Sequence, residues 1–196
     1  MSYVIFSGMR KGERTKTAML GATVDLMQRK GIAATGVREV AEHAGAPRGS
    51  IAFHFPGGKE QLTTEAVELA GGAFAAALAK LFERSCTADA VDRVAEGMAA
   101  GLERSGFATG CPLATTALET AATSAPIAAA CDAGFTAWQA PIAKALRRDG
   151  FAPAKARDRA LLVLSALEGA LLLARAKRSA DPVRIVAREL RPLLEP

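Results

Sequence analysis

Apolar residues recur along almost the whole chain at spacings of three and four, which is the period of an amphipathic helix. In the first such segment Met19, Thr23, Leu26 and Met27 fall on one helical face. No segment alternates with the period of two that indicates a strand. The pattern predicts an all-α fold of about nine helices, at residues 13–30, 36–44, 47–54, 59–84, 88–103, 111–122, 126–148, 153–178 and 182–194, after a loose tail at 1–10.

The second and third predicted helices are short and lie close together, with a helix-turn-helix expected at about residues 35–54. Thr35 is placed to cap the second helix with its hydroxyl. Gly45 suits a tight turn, and Pro47 can open the third helix because the first helical position needs no N–H. Two bundle helices joined by a glycine turn give the same pattern, so the pattern alone leaves both interpretations open.

Positive charge is concentrated in the first third of the chain. The net charge is +5, and residues 1–60 hold nine Lys/Arg against five Asp/Glu. A basic N-terminal unit on a nearly neutral body suits an anionic partner such as nucleic acid. An ordinary solvated surface explains so modest an excess equally well.

The remaining composition argues against several classes of protein. Three widely spaced cysteines and two histidines argue against a zinc site and suit reduced thiols in the cytoplasm, so no metal or cofactor is expected. The apolar run at residues 3–6 is too short for a signal peptide or a membrane span. No ordered Ser-His-Asp set or phosphate-binding loop is present, so an enzyme is not expected, although Glu119 or Cys111 leaves helical catalysis open.

A helix-turn-helix places its second helix in the major groove of DNA. Arg48, in the first turn of that helix, can reach O6 and N7 of guanine. Ser50 is small enough to approach a base or a phosphate. Lys59 and the N-terminus of its helix can bind phosphates, and Arg38 lies on the outward side of the preceding helix.

The stretch TGVREVAEHAGAPRGSIAFHFPGGKEQL, residues 35–62, closely resembles the DNA-binding domain of TetR-family transcriptional regulators. The matching positions are Gly31-Ile32, Thr35, Arg38, Ala41, Ala44-Gly45, Gly49-Ser50-Ile51, His54-Phe55 and Lys59-Glu60. The extra glycine in PGGKEQL, with GCPLATTALE at 110–119 and LEGALLLARA at 167–176, is similar to the LmrA/YxaF-type branch.

The resemblance implies a DNA-binding domain at 12–72 and a helical ligand-binding and dimerisation domain at 73–196. It implies a homodimer that binds a palindromic operator as a repressor and is released by a small, largely apolar effector. The residues expected to contact DNA are Thr35, Arg38, Arg48, Gly49, Ser50, Phe53, His54 and Lys59.

Three positions depart from the family pattern. Ala52 stands where the family usually has a tyrosine that contacts a phosphate, and Gly36 replaces the usual Thr or Ser. Phe53 stands where histidine is common, and it can contact a thymine methyl or pack internally. His54 matches a phosphate-contacting histidine, but it can equally satisfy a local backbone group. The missing tyrosine motivates an alternative hypothesis, a helical dimer with weakened DNA binding.

An effector site is expected between residues 74 and 171, because binding pockets are mostly apolar with a few polar anchors. Each aromatic candidate is also a plausible core residue. Cys111 at a helix start raises a further alternative, a redox-sensing regulator, since the helix dipole lowers a thiol's pKa. The candidates are Phe74, Met98, Leu102, Phe107, Cys111, Leu113, Glu119, Phe135 and Trp138, with Gln139 as a further anchor.

The helices at 153–178 and 182–194 are expected to form the homodimer interface. Ala166, Ala170 and Ala174 recur every four residues, which lets a partner helix approach closely. The leucines at 164, 167, 171 and 172 surround this stripe. An intramolecular bundle would show the same pattern.

Overall fold

The computed structural model describes residues 10–47 and 49–195. Arg48, the apolar run at 3–6 and nearly all of the predicted tail lie outside these residues. Within the described ranges every regular element is helical, as the sequence predicts. The helices are α1 (Lys11–Lys30), α2 (Val37–His43), α3 (Ser50–His54), α4 (Gly58–Glu83), α5 (Thr87–Arg104), α6 (Pro112–Thr120), α7 (Ala125–Arg148), α8 (Pro153–Lys177) and α9 (Asp181–Leu190), followed by a 3₁₀ turn at Arg191–Leu193.

The first three helices and the start of α4 enclose a small core of their own. α2 and α3 have only seven and five residues, so packing rather than propensity must hold them. Their inward side chains meet apolar residues from α1 and α4. This core consists of Met19, Ala22, Leu26, Val40, Ala41, Ile51, Phe55 and Leu62.

The remaining helices form a larger domain around a second core, and α4 is shared by both parts. α4 and α7 make the most extensive helix–helix contact of the described chain. Glycines allow this approach, because a Cβ built on Gly71 would lie 3.2 Å from the Gly134 Cα atom. A Cβ on Gly134 would in turn lie 2.4 Å from the Leu113 Cδ2 atom of α6.

Two predictions about the helix-turn-helix are wrong in detail. The Thr35 hydroxyl does not cap α2: it donates to the Gly31 carbonyl at 2.6 Å and closes the turn after α1, while Gly36 is the N-cap residue of α2. Pro47 does not open α3, because its carbonyl accepts the Ser50 N–H at 2.9 Å in a turn that precedes the helix. α3 therefore begins three residues later than predicted.

The alanine stripe of α8 does not form an exposed interface. Ala170 and Ala174 are buried against the chain's own helices, together with Leu167 and Leu171. The intramolecular interpretation of this stripe is therefore the correct one. The opposite side of α8 carries the exposed apolar residues, which are Leu161, Leu162, Leu172 and Leu173.

None of the helices in the described ranges is both long and apolar enough to cross a membrane.

Candidate DNA-binding face and effector cavity

The turn between α2 and α3 is closed by backbone hydrogen bonds. The Ala46 N–H donates to the Ala41 carbonyl at 2.9 Å, and the Gly45 N–H donates to Glu42 at 3.1 Å. Gly45 has φ +63°, a left-handed conformation that favours glycine. Ile51 and Phe55 then fix α3 by reaching into the small core. The outer side of α3 is thereby directed to solvent.

Phe53 is the most prominent side chain on this outer side. It is 81% exposed, so it does not pack in the core. Ala52, Gly49 and Arg38 are also exposed, and Ser50 is half-buried. Since Arg48 lies outside the described residues, its predicted contact with guanine stays a prediction. The described members of this face present one large apolar ring among small and basic groups.

His54 sits at the edge of this face, between α3 and the start of α1. Its ring stands nearly perpendicular to that of Phe53, with the centroids 4.9 Å apart. A Cβ built on Gly12 would approach the imidazole to 3.7 Å. The imidazole is half-buried, so one edge of it stays accessible.

Lys59 and Thr35 occupy different positions relative to this face. Lys59 is exposed in the first turn of α4, and its Nζ donates to the Ala33 carbonyl at 3.4 Å. That long contact leaves the ammonium available for an anion at the helix N-terminus. Thr35 is buried and acts within the turn after α1. Its side chain therefore supports the face rather than forming it.

An apolar cavity of about 490 Å³, partly open to the surface, lies between the larger domain and α1. This volume suits a drug-sized molecule. Helices α1, α4, α5, α7 and α8 and the residues at 109–112, where α6 starts, all contribute to its wall. Five predicted effector-site residues line it, namely Phe74, Met98, Leu102, Cys111 and Trp138.

Trp138 is fixed at the wall of this cavity. Its Nε1–H donates to the Gly71 carbonyl at 2.8 Å, which satisfies the buried indole. The ring stands at 75° to Phe74 and at 88° to Phe135, with centroid separations of 4.9 and 5.5 Å. Together the three rings form a rigid aromatic cluster.

The other predicted effector-site residues lie outside this lining. Leu113 is fully buried against Gly134, and Phe107 packs beside the Arg178 guanidinium with its centroid 5.9 Å away. Phe135 lines a second cavity of about 450 Å³, which shares Gly110, Cys111, Glu168 and Leu171 with the first. Gln139 lines neither cavity.

Glu119, at the end of α6, contacts the DNA-binding unit instead of a cavity. Its Oε2 accepts the Ala33 N–H at 2.8 Å, in the loop between α1 and α2. A second bond ties the start of α6 to α1, because the Gly110 N–H donates to the Gln28 carbonyl at 3.0 Å. Both ends of α6 are therefore bonded to the DNA-binding unit.

The Cys111 thiol is not activated. Burial raises its pKa, and the neighbouring charge of Glu168 raises it further. The expected effect of the helix dipole is thus wrong for this site, because desolvation and a nearby carboxylate disfavour the thiolate. The argument for a redox sensor at Cys111 loses its physical basis.

Glu168 is the charged residue of the cavity lining, and the sequence prediction does not include it. It lies on α8 and lines both cavities, and burial raises the pKa of its carboxyl group. A sequence signal for it exists, because Glu168 is the single charged residue between positions 160 and 174. A lone acid in so apolar a helix marks an unusual environment.

Fold and surface together define a helix-turn-helix protein whose second helical domain forms most of the wall of an apolar cavity. Comparison with protein families agrees. Residues 87–189 match the family described as transcriptional regulator LmrA/YxaF-like, C-terminal domain. Residues 19–66 match the family of bacterial regulatory proteins, tetR family.

Curated relatives and solved structures extend this similarity over most of the chain. The HTH-type transcriptional regulator Rv0196 of Mycobacterium tuberculosis is 37% identical over 174 residues, which cover 86% of this chain and 88% of that protein. The regulator LmrA of Bacillus subtilis is 29% identical over 86% of this chain and 90% of its own. The structure of a TetR regulator from Legionella pneumophila is 20% identical, with a TM-score of 0.82 over 95% of this chain and 98% of that one.

The chain therefore belongs to the TetR family of transcriptional regulators, with a C-terminal domain of the LmrA/YxaF-like branch.

Proposed function

We propose that this regulator is a repressor, which binds a palindromic operator as a homodimer and is released by a small, largely apolar effector. The observation that carries the proposal is the hydrogen bond between Gly110 and Gln28. Gly110 lines the cavity, and Gln28 both lines it and belongs to α1 of the DNA-binding unit. A molecule in the cavity would therefore touch the helix on which that unit is built.

Further contacts link the cavity to α3, the helix proposed to enter the major groove. Cys111 and Pro112 line the cavity at the start of α6, and Glu119 at the other end of α6 holds Ala33. The Ala33 carbonyl in turn accepts a bond from Lys59. A ligand that displaces α6 would move these groups relative to α3. Operator binding by a dimer requires the α3 helices of both copies to keep a fixed spacing. If the ligand changes that spacing, release of the operator would follow.

On the DNA side, we assign major-groove contacts to Arg48, Ser50 and Phe53. Phosphate contacts are assigned to His54 and Lys59, and Arg38 approaches the edge of the groove. Gly49 allows close approach, and Thr35 supports the turn. Salt should weaken binding, because phosphate contacts release counterions. We place the boundary between the two domains at residues 72 and 73, inside α4, and the protein's site of action in the cytoplasm.

The homodimer is proposed to form through α8 and α9. The outer side of α8 presents Leu161, Leu162, Leu172 and Leu173, and Gly169 lies between them with open space above it. Ile185 adds exposed apolar surface on α9. A helix that is apolar on all sides is normally buried on all sides, and a second copy would cover this one.

The test begins with enrichment of duplexes from random DNA by the full chain. We expect a palindromic sequence to emerge, and anisotropy with that duplex then measures affinity. Arg48→Ala should weaken binding and relax specificity, whereas Lys59→Ala should weaken binding to all duplexes. Lys80→Ala removes an exposed base of α4 outside the proposed face and should leave affinity unchanged.

Two outcomes would contradict the proposal. Failure to enrich any duplex would favour the alternative hypothesis of a helical dimer with weakened DNA binding. Equal affinities for the unaltered chain, Arg48→Ala and Lys59→Ala would contradict the assignment of this face.

A further inference from the structure

Glu168 is an acid in a cavity that holds no base. Among the described residues that line the 490 Å³ cavity, Glu168 is the single carboxylate, and none is Lys, Arg or His. Gln28 and Thr109 are the other polar side chains there, but the Thr109 hydroxyl already donates to Ser105 Oγ at 2.9 Å and the Trp138 N–H is also bonded. The cavity thus combines a long apolar wall with one acidic point.

The Glu168 carboxylate has a poor set of partners inside the protein. Its hydrogen-bonding neighbour is the Cys111 thiol, which is a weak donor. Burial alone works to raise the pKa of Glu168, which means that the charged form lacks compensation. A buried carboxylate without a strong partner is costly, and a cation that arrives with N–H donors removes much of that cost.

The nearest bases on the same helix, Arg159 and Arg175, make their recorded contacts with other groups and not with Glu168. Arg175, two turns after Glu168, donates from Nη2 to the Ala108 carbonyl at 3.2 Å, and its Nη1 lies against Gly110. Arg159, more than two turns before Glu168, stacks over Phe151 with 4.4 Å between the guanidinium carbon and the ring centroid. In the described chain, therefore, no ion pair is formed by Glu168.

We infer that this cavity binds a molecule with an apolar body and one cationic nitrogen, whose N–H groups donate to the Glu168 carboxylate. The inference rests on the proposed function only in treating this ligand as the effector. Carboxylate ligands are disfavoured, because they would bring a second negative charge beside Glu168. Neutral apolar molecules fill the cavity but leave Glu168 without a strong partner.

Three probes of one shape test the inference: phenylhexylamine, phenylhexanol and phenylhexanoate. Trp138 is the chain's only tryptophan and lines the cavity, so its fluorescence reports occupancy without DNA. We expect the amine to bind about tenfold or more tightly than the alcohol, the gain typical of a hydrogen bond to a charged group. The carboxylate should bind most weakly.

Variants then assign the preference to one residue. Glu168→Gln keeps the shape of the side chain and should remove the preference for the amine while retaining the alcohol's affinity. Cys111→Ala leaves the carboxylate in place and should retain the preference. Glu83→Gln removes an exposed carboxylate of α4 outside the cavity lining and serves as the matched control.

Equal affinities of amine and alcohol for the unaltered chain would overturn the inference. So would an amine preference that survives in Glu168→Gln, or an amine that leaves Trp138 fluorescence unchanged up to its solubility limit. Operator release by the same amine is measured separately by anisotropy. Glu168-dependent binding without release supports the cation site and contradicts the proposed effector role instead.

Discussion

Ala52 lies exposed on α3 beside Phe53, where the family resemblance places a tyrosine that contacts a phosphate. Ala52→Tyr should therefore tighten operator binding by up to about tenfold, since a hydroxyl would donate to a charged oxygen. Ala52→Phe adds the ring without the hydroxyl and is the matched control. Operator affinity measured by anisotropy at several salt concentrations separates the two. Equal gains from both variants would show that ring contact, not a phosphate bond, is responsible.

Asp149 joins the end of α7 to the start of α5. Its Oδ2 accepts the Thr87 N–H at 2.8 Å and the Thr87 hydroxyl at 2.7 Å. Burial works to raise the pKa of Asp149, but the bonds from Thr87 and Arg148 outweigh it and leave the pKa lowered. Asp149→Ala should reduce the free energy of unfolding by about 1–2 kcal/mol at neutral pH, as loss of a capping acceptor does.

The sign of the pH dependence follows from the lowered pKa. The stabilisation by Asp149 is complete above the unfolded-state value of about 4 and is lost as pH falls through the lower folded-state pKa. The difference in unfolding free energy between the unaltered chain and Asp149→Ala should therefore shrink in acid. Urea unfolding at a series of pH values measures it. Asp132→Ala removes an exposed acid of α7 and is the matched control.

The roles of single residues were the hardest feature to predict from the sequence. The helix-turn-helix motif placed the reading face, because its inward residues such as Ile51 and Phe55 are fixed by spacing. The role of Thr35 was misjudged, because both a cap and a bond back to Gly31 satisfy its hydroxyl and only the turn geometry decides between them. Glu168 was missed because its meaning depends on a cavity that helices distant in sequence enclose.

At the level of elements, the close contact of α4 and α7 rests on small residues. Gly71→Ala places a methyl group 3.2 Å from the Gly134 Cα atom, so two packed backbones must separate. Gly72→Ala, one residue along, meets nothing within 4 Å and gains helix propensity. We expect Gly71→Ala to be less stable than Gly72→Ala by about 1–3 kcal/mol, the usual cost of overpacking. Thermal and urea unfolding of the pair measure the difference.

A Gly71→Ala variant as stable as Gly72→Ala would contradict the importance of this contact.

Helix positions themselves were predictable to within a few residues, because apolar spacing and glycine or proline breaks determine them. The start of α3 was less predictable. Pro47 suits both a first helical position and a preceding turn, and the bond from Ser50 to Pro47 selects the turn.

At the scale of the whole molecule, the sequence predicted which helices carry the candidate interface but not which side of them. Ala170 and Ala174 suit close packing against any helix, and periodicity does not say whose helix that is. The chain's own helices bury them, which leaves the leucines on the other side of α8 exposed. α8 is thus apolar on both sides, and the side that faces solvent in one copy is the candidate contact for a second.

Leu173→Glu tests whether that contact holds the dimer together. Leu173 is 53% exposed and lines neither cavity, so a carboxylate there should leave the fold of each copy intact. In a dimer it would meet apolar surface from the partner, and we expect sedimentation velocity to show monomers. Operator affinity should fall by several powers of ten. In a dimer, binding of one helix-turn-helix unit holds the second unit at a high effective concentration near its half-site. Leu69→Glu alters a leucine of α4 that is 40% exposed and should leave both association and affinity unchanged. Monomers of Leu173→Glu that bind the operator as tightly as the unaltered chain would contradict a dimeric reader, and unaltered association would place the interface elsewhere.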